Sequence, residues 1–326
     1  MHHPQSKHTK LVFAADLGGT HLRAAAIDEN GRIYHQLKKA TPHSSEAKDV
    51  VEALVQAARE CESKTREAGV IQTASVGVPG TIDVQKGVVV TAPNIPCLAG
   101  FRLADALQIE LQWPAVIEND ANAAAMGEMW QGAGRGASTI VCLTLGTGVG
   151  GGIIINGELY RGADGAAGEI GHMAIEPFGG VSCGCGGQGC LEVYASGTAI
   201  VRMTREALPK HPHSMLHAID GLTSEEIFGA GEKGDQLALE IFDRMGVYLG
   251  VALANLVNVF NPEMIVIAGG VANAWDLFAA QAIQQMRDRA FPLPAANVQI
   301  KRGECGDNAG LLGAASRAFS SSYIVS

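Results

Sequence analysis

Along this chain the spacing of apolar residues switches between strand-like and helix-like periods, and one arrangement occurs twice. In "LVFAADLGGTHLRAAAIDENGRIYHQ" an apolar run ends at Asp16, a glycine turn follows, a second apolar run continues to Ile27, and "DENG" turns again. This predicts a strand, a tight turn and a strand. "STIVCLTLGTGVGGGIIINGELY" repeats the plan, with a turn at Gly146, Thr147 and Gly148 and another at Asn156-Gly157. Gly18 and Gly146 lie 128 residues apart, about one domain length, so an internal duplication is the economical explanation.

Between the two turns, "EAKDVVEALVQAARECESKTREAG" has helical apolar spacing and is expected to stop at Gly69. "TASVGVPGTID" predicts a strand leading to a loop, and "PAVIENDANAAAMGEMWQGAG" a short strand, a turn and an alanine-rich helix. Further on, Asp235 to Phe260 predict a long helix, and "NPEMIVIAGGVANAW" a buried strand with a glycine turn before another helix. Strands and helices alternate, so the fold class is α/β with mixed sheets. The break between the halves is expected near "QGAGRGAS", residues 131–138.

Composition narrows the class of ligand. The 326 residues are 47% hydrophobic and 17% charged, enough for a substantial core in two domains of ordinary size. A net charge of −9 argues against nucleic acid as the main ligand. The start, "MHHPQSKHTK", lacks the apolar stretch of a signal peptide, and "YLGVALANLVNVF" is too short to span a bilayer. A cytoplasmic, reducing location is expected, where seven cysteines suit thiols or a metal better than disulfides. His2, His3 and His8 are read as part of a floppy tail rather than as metal ligands.

The glycine turns offer backbone N–H groups that no side chain blocks, which suits phosphate oxygens; the alternative is a pair of ordinary hairpins. Gly146, Gly148 and Gly151 match G-x-G-x-x-G, but that fingerprint needs a helix next, and "GGIIINGELY" is a strand. A Walker loop is excluded because no Gly-Lys pair occurs. Asp120 falls where a strand gives way to a helix, either as a carboxylate kept ionised by the helix dipole or simply as an N-cap. Asp16 beside the first turn is either a Mg²⁺ ligand or an ordinary turn residue. His172, Cys183, Cys185 and Cys190 make up a Cys₃His set that tetrahedral zinc prefers, with buried free thiols as the alternative. Four protein ligands would leave zinc no open position, so it would brace the glycine-rich loop rather than activate water.

Taken in order, "DLGGTHLR", "ENDANAA", "LGTGVGGG", "GAAGEIGH" and "CGCGGQGCLE" resemble the ROK family of bacterial sugar kinases, repressors and uncharacterised open reading frames. The pattern is nearest to the family's glucose kinases. "IVIAGGVA" and "GDNAGLLGAA" look like its late nucleotide-side segments, and the resemblance runs from about Leu11 to Ala315. It implies two actin-like (ribonuclease H-like) domains with mixed sheets flanked by helices and a cleft between them. The smaller domain would take residues 1–130 and the larger 131–326, the last helix being able to return to the first. Carried over by position, Asp16, Gly18, Gly19, Thr20 and Arg23 form the first ATP phosphate turn and Gly146, Thr147 and Gly148 the second. Gly269 and Gly270 lie near the adenosine, and Asp16 serves Mg²⁺. Asp120 becomes the general base for a hexose 6-hydroxyl, with Asn94, Asn119, Asp120, Glu169, His172 and Glu192 as sugar ligands. His172, Cys183, Cys185 and Cys190 hold structural zinc.

The implied function is ATP-dependent phosphorylation of a hexose, glucose first, in carbohydrate metabolism (glycolysis). The enzyme alternatives are an N-acetylmannosamine or N-acetylglucosamine kinase, or a fructokinase. "IPCLAGFRL" departs from the family, which usually has a Trp here, Phe101 being the nearest aromatic. A ROK-type repressor is disfavoured because only ten residues precede Leu11, too few for a helix-turn-helix domain, and a non-catalytic nucleotide scaffold would not need the sugar set. A homo-oligomer, dimer or tetramer, is expected by analogy, with no nucleic-acid or membrane partner.

Overall fold

Both predicted glycine hairpins form, and each seeds a five-stranded sheet in the computed structural model, which describes residues 9–320. His2, His3 and His8 lie outside the described residues. The chain begins β1 (Thr9–Leu17), β2 (His21–Asp28), β3 (Ile33–Ala40), α1 (Ala47–Thr65), β4 (Gly69–Val78), β5 (Thr81–Asp83) and β6 (Val88–Thr91). It continues α2 (Leu103–Leu111), β7 (Ala115–Asn119), α3 (Asp120–Gln131), β8 (Ile140–Leu145), β9 (Val149–Ile155) and β10 (Glu158–Leu159). Then come α4 (Glu192–Ala195), α5 (Gly197–Ala207), α6 (Ser224–Glu232) and α7 (Gln236–Phe260). The last elements are β11 (Met264–Ala268), α8 (Trp275–Arg289), α9 (Pro292–Asn297), β12 (Gln299–Arg302) and α10 (Ala309–Ser320).

The sheets run β3-β2-β1-β4-β7 and β10-β9-β8-β11-β12. In each, the glycine hairpin is antiparallel and the next two strands join in parallel. A tight turn can only reverse the chain, whereas a parallel neighbour needs a long crossover. The same order and senses in both halves fit the duplication seen in the sequence.

Each sheet has its own core. On one face of β1, Leu11, Phe13, Ala15 and Leu17 meet Val50, Leu54, Ala58 and Cys61 of α1. The other face is covered as well, because α10 packs on α3 and across β1 and β4, so β1 is apolar along both faces. In the second sheet Val141, Leu143, Ile265 and Ile267 pack with Phe242, Met245 and Leu253 of α7. That helix starts at Asp235, whose carboxylate accepts from the Ala238 N–H at 3.0 Å, and ends at Asn261 in the left-handed conformation before Pro262.

One local expectation changes. The helix read as stopping at Gly69 ends at Thr65; Gly69 opens β4, where a side chain would run into the Thr9 carbonyl and Leu11. The two compact units are built from more than two stretches of chain. Of the described residues, 9–135, 159–167 and 307–320 form one compact unit and 136–158 with 168–306 the other. Close backbone approach holds both returning pieces. Gly165 sits against the Ile82 carbonyl, and Gly313 of α10 against the Ala123 backbone. "GDNAGLLGAA" therefore belongs to the first unit, beside Asp16.

Candidate active site

In the first unit, the turn at Gly18, Gly19 and Thr20 is held from β3's end. Thr41 Oγ1 donates to the Gly18 carbonyl at 2.6 Å, and the Thr41 N–H to the Thr20 carbonyl at 2.9 Å. Asn94 lies so close that a β-carbon on residue 19 would sit 3.2 Å from its own. Asp16, at the end of β1, faces Asp120, Arg23 and the start of α10. Burial first, and then the charge of Asp120, push its carboxyl up to about 6, with Arg23 opposing and Asp307 adding. Arg23 Nη1 is 3.9 Å from Asp16 Oδ2, and its Nη2 donates to Asp307 at 3.1 Å. No side chain fits at Gly310, because it would meet the Asp16 carboxylate.

Asp120 is the first residue of α3, and the capping role belongs to Asn119. Asn119 Oδ1 accepts from the Asn122 N–H at 3.0 Å, while its Nδ2 donates to the Gly80 carbonyl at 3.0 Å and to Asp120 Oδ1 at 3.1 Å. The Ala121 N–H also donates to Asp120 Oδ1, at 2.9 Å. The cap is thus satisfied without Asp120, whose carboxylate is oriented by its neighbours. Asn119 gives one amide proton to this orientation and the other to the Gly80 carbonyl.

Behind Asp120 lies a charge network that sequence reading missed. Glu118, 1% exposed, accepts from Arg161 Nε at 3.1 Å and Nη2 at 2.5 Å, with Arg317 Nε 3.8 Å away. Its other oxygen accepts from the Asn119 N–H at 3.1 Å and Asn122 Nδ2 at 3.3 Å. The available clue was a glutamate inside the apolar strand "AVIEN", since a buried charge must be paired. The identity of its partner, 43 residues on, has no local signature.

In the second unit, the turn at Gly146, Thr147 and Gly148 closes with the Gly146 N–H donating to the Gly148 carbonyl at 3.0 Å. A β-carbon on Gly146 would meet nothing within 4 Å. Glu192 Oε2 accepts from the Val149 N–H at 3.0 Å, directly after the turn. Gly269 has φ +88°, and a side chain there would enter the backbone of Leu145. Gly270 borders a cavity of about 250 Å³ walled by Phe228, Phe242 and Val271, with Ser224, Glu225 and Asn273 supplying polar groups.

Glu169 is exposed and its Oε2 lies 3.8 Å from His172 Nε2. The other His172 nitrogen, Nδ1, is 3.6 Å from Cys183 Sγ, and Cys185 Sγ is 3.8 Å from Cys190 Sγ. The four ligand atoms of His172, Cys183, Cys185 and Cys190 all lie within 4.8 Å of one another. Tetrahedral zinc, with bonds of ~2.3 Å to sulfur and ~2.0 Å to nitrogen, spaces sulfur from sulfur by about 3.8 Å and sulfur from nitrogen by about 3.6 Å. The donor set suits the ion in chemistry, and the His172–Cys183 and Cys185–Cys190 distances match its spacing. Burial pushes the Cys190 thiol up to about 12, with the neighbouring sulfurs adding, whereas the Gly187 N–H pulls Cys185 down. A bound cation would reverse the upward shift by stabilising thiolate.

A duplicated sheet order with paired glycine hairpins is that of the actin-like class, which includes sugar kinases. The ROK family model matches residues 12–320, and the chain belongs to the ROK family. A glucokinase of Halalkalibacterium halodurans is 38% identical over 315 residues, 93% of each chain. Among solved structures, a ROK family glucokinase from Streptomyces griseus in complex with glucose and AMPPNP has a TM-score of 0.82 at 35% identity, covering 95% of this chain and 100% of that one. A ROK family transcriptional regulator, a homolog of the E. coli MLC protein, has a TM-score of 0.87 at 26% identity, covering 94% and 77%.

Proposed function

We propose that this protein is an ATP-dependent glucose kinase that phosphorylates the sugar's 6-hydroxyl, with Asp120 as general base. The observation that carries it is the Asp120 carboxylate, oriented at the head of α3 and facing Asp16 beside the first glycine turn. The likeness to glucokinases along almost the whole chain supports the choice of sugar.

A sugar hydroxyl is too weak an acid to ionise at neutral pH, so a positioned carboxylate accepts its proton as the oxygen attacks the γ-phosphorus of ATP. Asp120 takes that proton, its carboxylate held by the Asn119 amide and the Ala121 N–H. Gly18, Gly19, Thr20 and Arg23 bind phosphate oxygens, as do Gly146, Thr147 and Gly148, while Gly269 and Gly270 border the adenosine. Asp16 would hold Mg²⁺, which supplies charge neutralisation on the phosphates; a carboxylate that burial and a second carboxylate leave uncompensated suits that cation. Asn94, Asn119, Asp120, Glu169, His172 and Glu192 are the sugar ligands. His172, Cys183, Cys185 and Cys190 hold a structural zinc, which fixes His172 for the sugar. In this reading the enzyme works in the cytoplasm as a dimer or tetramer.

The test is a sugar panel with ATP, scoring ADP release by wild type and Asp120→Asn. Rapid turnover with glucose and near loss in the variant are expected; equal ADP release by both removes Asp120 from the chemistry. Preference for an N-acetylhexosamine or fructose would reassign the substrate. A sugar-sensing regulator is the second reading, favoured by the TM-score of 0.87 to one; sugar binding with no stimulated ADP release would select it.

A further inference from the structure

We propose that the Cys₃His cluster governs nucleotide binding through Thr198, a positioning residue for the second glycine turn. This extends the kinase reading and holds only where Gly146–Gly148 receives nucleotide phosphates.

Three groups downstream of Cys190, the last residue of the cluster, reach the turn. Glu192 Oε2 accepts from the Val149 N–H at 3.0 Å. The Gly197 N–H donates to the Gly146 carbonyl at 2.7 Å, and Thr198 Oγ1 donates to the Thr147 carbonyl at 2.8 Å. Residues 192–198 thus hold the turn beside its own Gly146–Gly148 bond and the β8–β9 pairing of Leu145 with Val149. Thr198 is not needed as a helix cap. Ser196 caps α5, its hydroxyl accepting from the Ala199 N–H at 3.1 Å, and the Thr198 side chain is exposed rather than packed in the core.

The cluster fixes where this segment begins. Leu191, fully buried, donates its N–H to the Met173 carbonyl at 3.0 Å, next to His172, and Cys190 bridges to Ala174. Glu192 Oε1 also lies 3.9 Å from Cys183 Sγ, so one carboxylate touches both the cluster and the strand leaving the turn. Between Cys183 and Cys190 lie Gly184, Gly186, Gly187 and Gly189, a stretch with a large ordering entropy. A four-ligand cross-link suppresses that freedom, and the rigid α4–α5 step carries the constraint to Gly146 and Thr147.

The experiment uses full-length protein in zinc-loaded and chelator-stripped forms, with zinc-loaded Thr198→Val and Thr198→Ser beside them. ADP affinity is measured by calorimetry, amide exchange across residues 146–149 by mass spectrometry, and zinc by elemental analysis. Thr198→Val should weaken ADP roughly 3- to 10-fold with zinc content and the KM for glucose unchanged, and Thr198→Ser should restore it. Stripping should weaken ADP by roughly tenfold or more and speed exchange at 146–149. If stripping unfolds the chain, Cys185→Ser, at the exposed ligand, is expected to give the same changes. Unchanged ADP affinity in Thr198→Val, loss of zinc without faster exchange at the turn, or failure to take up zinc each overturns the proposal. Failure of the kinase reading looks different: no sugar stimulates turnover although ADP binds, or ADP does not bind at all.

Discussion

Arg161 holds the buried carboxylate of Glu118 two residues ahead of Asp120, and so ties the returning segment 159–167 to the strand that leads into α3. Glu118 also accepts from the Asn119 N–H and the Asn122 amide, the residues that form and follow the cap of α3. Removing the arginine leaves a carboxylate at 1% exposure with Arg317, 3.8 Å off, to offset it. Breaking one side of a buried pair typically costs about 3–5 kcal/mol. Arg161→Met is therefore expected to lose about that much stability in urea unfolding, and Glu118→Gln/Arg161→Met to recover part of it. A single variant within about 1 kcal/mol of wild type would mean that the pair is not carrying a buried charge.

Asp120→Asn tests chemistry without disturbing the fold. The amide keeps an oxygen to accept from Ala121 and Asn119, so the head of α3 should survive. Loss of a general base typically lowers the rate by about 10²–10⁴-fold, and the fall should appear in kcat with the KM for glucose nearly unchanged. A variant that melts well below wild type would show that Asp120 is held for structural reasons.

Asp16 predicts a dependence of stability on pH. Its folded carboxyl is raised from 3.8 to about 6 by burial and by Asp120. The folded state therefore binds the extra proton, and the favourable contribution is complete below about pH 3.8 and lost as pH rises through 6. Above that the charged group costs on the order of 3 kcal/mol. Without divalent cations, Asp16→Asn should melt above wild type at pH 7.5, and the difference should close towards pH 4. The same variant should lose activity, exchanging function for stability at a strained site. Equal melting at pH 7.5 would refute the burial argument.

Much of this was legible locally. Asn156-Gly157 takes the positive φ pair of a hairpin turn, at 54° and 78°, and the long helix keeps its Asp235 start. The four cluster residues could be picked out because thiols and imidazole are scarce and were grouped. What local pattern could not show was pairing at a distance. Asp307 reaching back to Arg23 and Arg161 to Glu118 join segments that periodicity describes only one at a time. Gly69 was misread because a glycine ending a helix and one making room for a neighbouring strand look alike in sequence.

Gly313 shows why the returning helix α10 belongs where it is. In a helix interior, Gly→Ala normally stabilises by about 1 kcal/mol, since alanine restricts the unfolded chain. At residue 313 the added carbon would fall inside the α3 backbone, against the carbonyl of Ala123, and across the same contact Gly127 faces the Ala309 carbonyl. Backbone cannot step aside as a flexible side chain does, so overpacking should outweigh propensity. Gly313→Ala is expected to destabilise by about 3 kcal/mol or more in urea unfolding. Gly229→Ala, inside α6 with nothing within 4 Å of the new carbon, should stabilise by up to about 1 kcal/mol. If both substitutions stabilise, helix propensity and not close packing decides at residue 313, and α10 does not seat on α3 through its glycines.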